Sequence, residues 1–532
     1  MLGASVAWTG HAALMVLRVS PKDDPMKFTM RRSARIGGLV VLLVFGAQLA
    51  AAATLRVGMS DDPDTLDPAA SGSFISLQIT SAMCDKLIDI GPQLDPVPGL
   101  ATEWHWSADN RALTINLRED AVFQDGEPFD AEAVKWNIDR YRTSPMSKRV
   151  SQLKPIKSVT VVDHHTVRFD LSEPYAPLLM MLSDRPGMMM APKATEAAGD
   201  SVGAHPVCLG PYEFVRRVVQ ERVVLRRSAH YRDPSKAPFD ELQFVDIPDA
   251  SLRLANLQSG QLDLIERVAP TDLDTLRGDP RLKLASSPAL GYQLIIFNLA
   301  RGPMSDSPIG RDPRVREAFE ASIDRETINQ VVFAGQYIPD NQPEPVGGTY
   351  FDPDRPIPHR DLARAKALLK EAGQTRVAFT LLVGNDPVSA QVAQVMQSMA
   401  AEAGFDIKLQ LMEAVSMVQA ADRGEFQATI NMWSGRTDPD QNISIWVACD
   451  GFLNRGRYCS PPLDKLLSDA TRTTDTVERA DLYRQAAAIY LKDRPVLFLD
   501  HYAWLWGASA RLQGFTPYPD GLIRVKGMTL AP

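Results

Sequence analysis

Hydrophobic positions recur with two different periods along this chain, and the two patterns alternate from Leu55 onward. Leu113, Ile115 and Leu117 are separated by polar residues, as are Val167, Phe169 and Leu171, which predicts half-buried antiparallel strands. Asp163, His164 and His165 read as a turn between two such strands. Asp361 precedes Leu362, Ala365, Leu368, Leu369 and Ala372 on one helical face, and Gly373 follows, so cap, stripe and stop agree on a helix. Helices are also expected from Pro313 to Ile323, with Val315, Ala318, Phe319 and Ser322 inward, and from Val477 to Leu491. No fixed-period repeat interrupts this alternation, which points to mixed α/β layers. Residues 300–312 and 339–358, the latter with six prolines, read as surface crossings too short to act as flexible tethers. Lobes joined by short extended segments, and hence a hinge, are expected.

The first 54 residues differ in character. Six basic residues stand against two acidic ones, with a cluster at Lys27, Arg31, Arg32 and Arg35, then an apolar run from Ile36 to Leu49 and small residues from Ala50 to Ala53. That order predicts a secretory signal peptide cleaved near Ala53; the alternative is a retained anchor, although the run is short for a bilayer span. Met26 or Met30 would start a signal of ordinary length, which would make residues 1–25 a misplaced start. No Cys follows the small-residue site, so a lipoprotein anchor is not expected.

A chain of 532 residues exceeds what one hydrophobic core organises, so at least two lobes are expected. With 45% hydrophobic and 23% charged residues it has ordinary globular composition. The formal charge is −8, and setting aside the net +4 of the first 54 residues leaves −12. An acidic chain of this kind does not suit nucleic acid or anionic lipid, both of which call for basic surfaces. Cys449 and Cys459 lie close together in a Gly-, Asn- and Arg-rich segment and are expected to pair; Cys84 and Cys208 then either pair or stay as buried thiols. The sequence holds no Walker A loop, G-x-G-x-x-G, H-E-x-x-H, C-x-x-C or G-x-S-x-G, and adjacent His164 and His165 would point to opposite faces of a strand. No catalysis, metal or cofactor is expected.

Longer patterns carry a resemblance. L-R-V-G-M-S-D-D-P-D-T-L-D-P from Leu55, P-V-P-G-L-A-T-E-W from Pro96 and F-Q-D-G-E-P-F-D-A-E-A-V from Phe123 are followed in order by G-P-Y-E-F from Gly210, R-S-A-H-Y-R-D from Arg227, D-P-R-V-R-E-A-F-E-A-S-I-D-R from Asp312 and A-K-A-L-L-K-E-A-G from Ala365. Together they resemble the family 5 extracellular solute-binding proteins of ABC importers, which include dipeptide, oligopeptide, glutathione and nickel binders. Cys208 departs from the G-T-G-P-Y run usual there, and no His cluster supports the nickel branch.

The resemblance implies a bilobal α/β periplasmic-binding-protein-like fold of type II, cluster C-like, with an extra subdomain in lobe I. Lobe I would comprise residues 54–290 and 507–532, with the subdomain at about 90–203, and lobe II residues 291–506. It implies a periplasmic monomer that captures a small solute, foremost a short peptide, by hinge closure and delivers it to an inner-membrane permease and its ATPase. Alternatives are a non-peptide solute (glutathione, an opine, a sugar or a metal chelate), or a peptide sensor or chaperone. M-W-S-G-R-T-D-P-D-Q-N from Met432 matches the region that lines the cleft in peptide-binding relatives. Trp433, Asp438 and Asp440 are carried over from it, with one carboxylate receiving a ligand ammonium. Arg436 would pair with a ligand carboxylate or merely neutralise Asp438. Phe74 and Tyr212 would face the cleft from the other lobe, and Tyr458, Asn298 and Tyr292 complete the candidates.

Overall fold

Strand β1 (Thr54–Met59) buries Leu55 and Val57, and its chain then turns through an acidic loop into helix α1 (Phe74–Met83), whose N-cap Ser73 accepts a hydrogen bond from the Ser76 amide. The computed structural model describes residues 53–531, apart from residue 93 and the side chains of 414 and 415; nearly all of the expected signal segment lies outside them.

Strands β2 (Ala101–Trp106) and β3 (Ala112–Leu117), helix α2 (Ala131–Thr143), and strands β4 (Ile156–Asp163) and β5 (Thr166–Leu171) form a small antiparallel sheet in the order β2-β3-β5-β4. The alternating Leu113, Ile115 and Leu117 and the matching Val167, Phe169 and Leu171 are all buried. They share a core with Val134, Ile138 and Tyr141 of α2. A short helix, α3 (Leu178–Met181), leads back along the apolar run that ends at Ala191.

Strands β6 (Tyr212–Val218), β7 (Arg222–Arg227), β8 (Glu241–Asp246), β9 (Leu264–Ile265) and β10 (Leu282–Phe297) enter the main sheet. After β10 come helices α4 (Pro313–Ser322) and α5 (Leu362–Glu371) and strands β11 (Val377–Gly384), β12 (Phe405–Met412) and β13 (Ala428–Trp433). Asp361 caps α5 by accepting from the Arg364 amide, and Gly373 ends it at φ +71°. Helices α6 (Asp440–Val447), α7 (Pro461–Arg472) and α8 (Thr476–Asp493) precede the last long strand, β14 (Val496–Ser509).

The main sheet has eleven strands in the order β12-β11-β13-β10-β14-β9-β1-β8-β7-β6, with the two-residue strand Ile338–Pro339 added to β14 off this path. Only β10 and β14 run through its whole middle. They pair antiparallel from Leu282 opposite Ser509 to Ile296 opposite Val496, and the register shifts between Pro288 and Tyr292 and again between Gln293 and Leu294. On one side of that irregularity Trp504 and Trp506 pack with Val57, Ile79 and Tyr212. On the other, Leu497 and Leu499 pack with Ile295, Phe319 and Phe379.

Both cysteine pairs are bridged, Cys84 to Cys208 and Cys449 to Cys459. The first joins the end of α1 to the segment that pairs with Met190, and the second closes the loop after α6. Their sequence separations are 124 and 10 residues, so the chain-entropy argument assigns about 5 kcal/mol to the first and about 3 kcal/mol to the second. Urea unfolding of Cys84→Ala/Cys208→Ala and Cys449→Ala/Cys459→Ala should therefore show the larger loss in the first double variant. The reverse ranking would show that unfolded-state loop entropy does not govern these bonds.

Candidate functional site

Strand β13 pairs with β10 so that Trp433 stands opposite Tyr292, and the chain beyond it must turn back toward the sheet. Gly435 makes this turn at φ +77° and lies so close to Leu290 that a Cβ would collide with it. Gly291 has the same constraint, because a Cβ there would meet the Trp433 carbonyl oxygen and the Tyr502 hydroxyl. Asn442, in the first turn of α6, fastens the resulting loop. Its Oδ1 accepts from the Arg436 amide at 2.8 Å and from Trp433 Nε1 at 3.1 Å, while its Nδ2 donates to the Arg436 carbonyl at 2.8 Å. Tyr292 donates its hydroxyl hydrogen to the Asn442 carbonyl from below.

Arg436 is thereby aimed across the crevice. Its guanidinium lies 4.6 Å from the Trp433 ring centroid, and its Nε lies 2.8 Å from Asp184 Oδ2, an ion pair. Asp184 belongs to the other lobe, just after α3, so this ion pair spans the crevice. Around it Phe74 and Leu77 of α1, Met180, Leu290, Gln441 and Leu522 line a cavity. Phe74 stacks on Trp504 at 4.8 Å, and a second, wider cavity is lined by Trp504, Tyr502, Gln293, Arg267 and the start of the helix at Pro387. The lobes also touch at the rim, where Arg472 Nη2 lies 2.7 Å from Glu173 Oε2 and the Ala176 amide donates to the Thr471 carbonyl at 2.8 Å.

Asp184 sits among three guanidiniums. Burial alone would raise its pKa, but Arg436, then Arg185 and Arg149, outweigh burial and hold the carboxyl well below its ordinary value. Burial pushes the Arg185 guanidinium down to about 9, which leaves it charged at neutral pH. Arg185 is 2% exposed and Arg149 7%. Arg185 is held by the Ser71 hydroxyl at 3.0 Å, and Arg149 by the Ser71 carbonyl at 3.2 Å.

Of the expected site residues, the structure brings Phe74, Trp433 and Arg436 to the crevice. The Asp pair turns the other way. Asp438 is 3% exposed, and both its oxygens accept from Arg479, at 2.9 and 2.7 Å. Asp440 opens α6 and accepts from the Ser444 hydroxyl. An Asp-Pro-Asp at a helix start satisfies its own backbone and the helix dipole first, which is why these carboxylates face into the second lobe. Arg436 accordingly pairs with Asp184 and not with Asp438. Tyr212 is buried in the first lobe, its hydroxyl accepting from the Phe239 amide at 3.1 Å. Tyr292 is core that supports Asn442. Asn298 ties its own loop through the carbonyls of Arg301 and Phe426, both at 2.8 Å. Tyr458 donates to Asp493 at 2.6 Å, away from the crevice.

Sequence reasoning missed Asp184, Arg185, Arg149 and Asn442. A signal for the first two was present: Asp184-Arg185 is the one charged pair in the apolar stretch from Leu178 to Met190, and a buried charge needs a partner.

The profile of the bacterial extracellular solute-binding proteins, family 5 (middle), matches residues 95–454. The chain is 28% identical over 509 residues to the glutathione-binding protein GsiB of Escherichia coli strain K12, covering 92% of this chain and 98% of that one. Its fold is similar to that of the Agrobacterium tumefaciens periplasmic binding protein AgaA solved with agropinic acid, at a TM-score of 0.81 and 24% identity over 90% of this chain and 99% of that one. It is also similar to a Pseudoalteromonas sp. SM9913 dipeptide-binding protein solved with Met-Leu, at a TM-score of 0.82 and 22% identity over 90% of this chain and all of that one.

Behind the Arg436 loop lie carboxyls that the fold prefers protonated. Burial raises Asp340 and Glu344 to about 7 and Asp440, with Asp438 adding, to about 6. The folded state thus keeps protons that the unfolded chain has released, and stability rises as pH falls from about 7 toward about 5. Buried His501, lowered to about 4 by desolvation, opposes this with one proton, and three carboxyls outweigh it. The melting temperature is expected to be higher at about pH 5.5 than at about pH 7.5, and Glu344→Gln should flatten the difference. A wild-type melting temperature that rises with pH over this window in calorimetry would contradict that arrangement.

Proposed function

The chain belongs to the bacterial extracellular solute-binding proteins of family 5, the capture components of ABC importers, and from that premise we propose that it takes up a short peptide bearing charged ends. The observation that carries this reading is the ion pair Arg436–Asp184, whose two halves come from opposite lobes. Such a pair forms only when the lobes approach, and a solute that offers charges to both sides binds the closed form selectively. Its differential affinity shifts the population from open to closed.

In this reading the moving bodies are residues 54–290 with the C-terminal tail, and the second lobe from Gly291 to about Asp500. The crossings are at the β10 irregularity and the facing part of β14. The subdomain of residues 90–203 travels with the first lobe and carries Asp184 and Glu173 into the closure. Arg436 anchors a ligand carboxylate, Trp433 backs it, and Phe74 and Trp504 offer apolar faces to side chains. Asp438 and Asp440 hold the loop and do not touch ligand. Three guanidiniums close to one carboxylate favour peptides with a surplus of carboxylates, and the similarity to a glutathione-binding relative supports the same direction. The mature protein would act in the periplasm as a monomer after signal cleavage, turn nothing over, and present its closed form to a permease driven by an ATPase.

A thermal-shift screen of short peptides should produce hits that raise the melting temperature by mass action. Arg436→Met should weaken the best hit by more than about tenfold in calorimetry, since truncating one side of a buried charge pair costs about 2 kcal/mol or more. Small-angle scattering should show compaction with that hit. Unchanged affinity in Arg436→Met, or binding without compaction, would reject the anchor or the closure respectively.

A further inference from the structure

Two backbone carbonyls compete for one buried side chain where the chain passes between the lobes. Each ring nitrogen of His501, on β14, lies against a carbonyl: Nδ1 is 3.1 Å from the Gly291 oxygen, and Nε2 is 3.2 Å from the Gln342 oxygen. A neutral imidazole has a single N–H, so it donates to one of them and turns a bare nitrogen toward the other. Burial lowers the ring to about 4, which leaves it with that single hydrogen across the neutral range. The tautomer therefore decides which carbonyl is bonded. The choice matters most at Gly291, because residues 289–291 have no counterpart in the β10–β14 register. An Nδ1–H supplies there a cross-strand bond that the ladder does not.

Asp340 is placed to set the tautomer. It follows the two-residue strand Ile338–Pro339, which pairs with β14 at His501 and Asp500, and its side chain is wholly buried. Its Oδ1 accepts from the amides of Asn341 at 2.7 Å and Gln342 at 3.1 Å. Its Oδ2 is 3.5 Å from His501 Nε2 and has no hydrogen-bond partner among the described residues. An ionised Asp340 adds a negative charge on the Nε2 side, beside the Gln342 carbonyl, and draws the ring hydrogen there. A protonated Asp340 has a hydrogen of its own on offer, a small shift from a bare Nε2, and this favours the ring hydrogen on Nδ1.

Burial raises Asp340 to about 7, against its backbone hydrogen bonds and the charge of Arg325, so it gains and loses its proton near neutrality. Asp500 on β14, Tyr490 on α8 and Tyr292 on β10, whose ring meets that of His501 edge-on at 5.7 Å, are all kept uncharged there by burial. Glu344, on the loop after Asp340, titrates in the same range and is bonded to Asn442.

We propose that Asp340 and His501 form a proton-operated clasp on the hinge: with Asp340 protonated, the Nδ1–H of His501 binds the Gly291 carbonyl and fastens β14 to the irregular stretch of β10, and with Asp340 ionised the ring hydrogen sits on Nε2 and the Gly291 carbonyl is released. One proton leaves for solvent, and the ring keeps one throughout. The clasp goes beyond solute capture and rests on the closure reading only for its consequence. The lobes meet in this structure, so the clasp holds the arrangement in which they meet, and raising the pH through about 7 loosens it.

The test is NMR of protein labelled with 15N in its histidine rings, in which two-bond couplings show which nitrogen carries the hydrogen, with His501→Gln identifying the signal. Wild type should show Nδ1–H at about pH 6 and Nε2–H at about pH 8. Asp340→Asn, checked for a cooperative melt, should abolish this pH dependence, whereas Glu344→Gln should keep it. Hydrogen exchange of peptides covering residues 288–292, corrected for its intrinsic pH dependence, should be at least about threefold slower at about pH 6 than at about pH 8 in wild type, and nearly equal in Asp340→Asn. One tautomer at both pH values in wild type, or a charged ring, overturns the inference without any variant. A tautomer change that survives in folded Asp340→Asn, or vanishes in Glu344→Gln, overturns the role of Asp340, and exchange that does not follow the tautomer overturns the role at the hinge. No solute enters these measurements, so a peptide screen without hits counts against the peptide reading alone.

Discussion

Backbone pairing between β10 and β14 carries the chain from one lobe to the other and back, and most of the remaining geometry depends on it. Two antiparallel strands that run through an eleven-stranded sheet bind each lobe to its own half through the ladder on either side of the irregular stretch from Pro288 to Leu294. The register breaks between Pro288 and Tyr292 and between Gln293 and Leu294 are where that continuity weakens. Bulges bend a strand and concentrate twist, so these breaks localise bending to a few residues instead of spreading it along the sheet. The same pairing places Trp433 opposite Tyr292 and thereby sets where the Arg436 loop begins.

Charge burial then separates structure from function. Asp438 with Arg479, and Glu320 with Arg325 and Arg494, are buried groups whose carboxylates are fully engaged within one lobe. Such pairs repay their desolvation only when geometry is this complete, and their role is to hold helices and loops in place. Asp184 and Arg436 are each only partly buried and meet where the two lobes face each other, and Asp184 Oδ1 has no hydrogen-bond partner among the described residues. Incomplete satisfaction across a crevice is costly in a closed protein unless something else completes it, which makes closure responsive to what lies between the lobes.

The small sheet of β2 to β5 is consequently more than an appendage. Its region supplies Asp184 at the floor of the crevice and Glu173 at the rim, where Arg472 and the Thr471 carbonyl meet it from the second lobe. The Cys84–Cys208 bond ties α1, which contributes Phe74, to the segment returning from that region. One wall of the crevice is thus assembled from three stretches of chain far apart in sequence.

Strand alternation at Leu113 to Leu117 and Val167 to Leu171, the cap and stop of α5, and both cysteine pairs were open to sequence reasoning because each depends on neighbours a few residues away or on a short inventory of partners. Family membership was legible through motifs spread along the whole chain. The site was legible only in part. Trp433 and Arg436 were identifiable as a segment, but which side of the turn each polar residue faces depends on Gly435, Asn442 and the Leu290 contact, and the Asp pair went to Arg479 instead. The sequence by itself determined the elements, the family and the loop that carries the guanidinium. Only the tertiary structure decided which carboxylate answers that guanidinium, because Asp184 and Arg436 are 252 positions apart and an ion pair is set by distance in space, which local patterning does not encode.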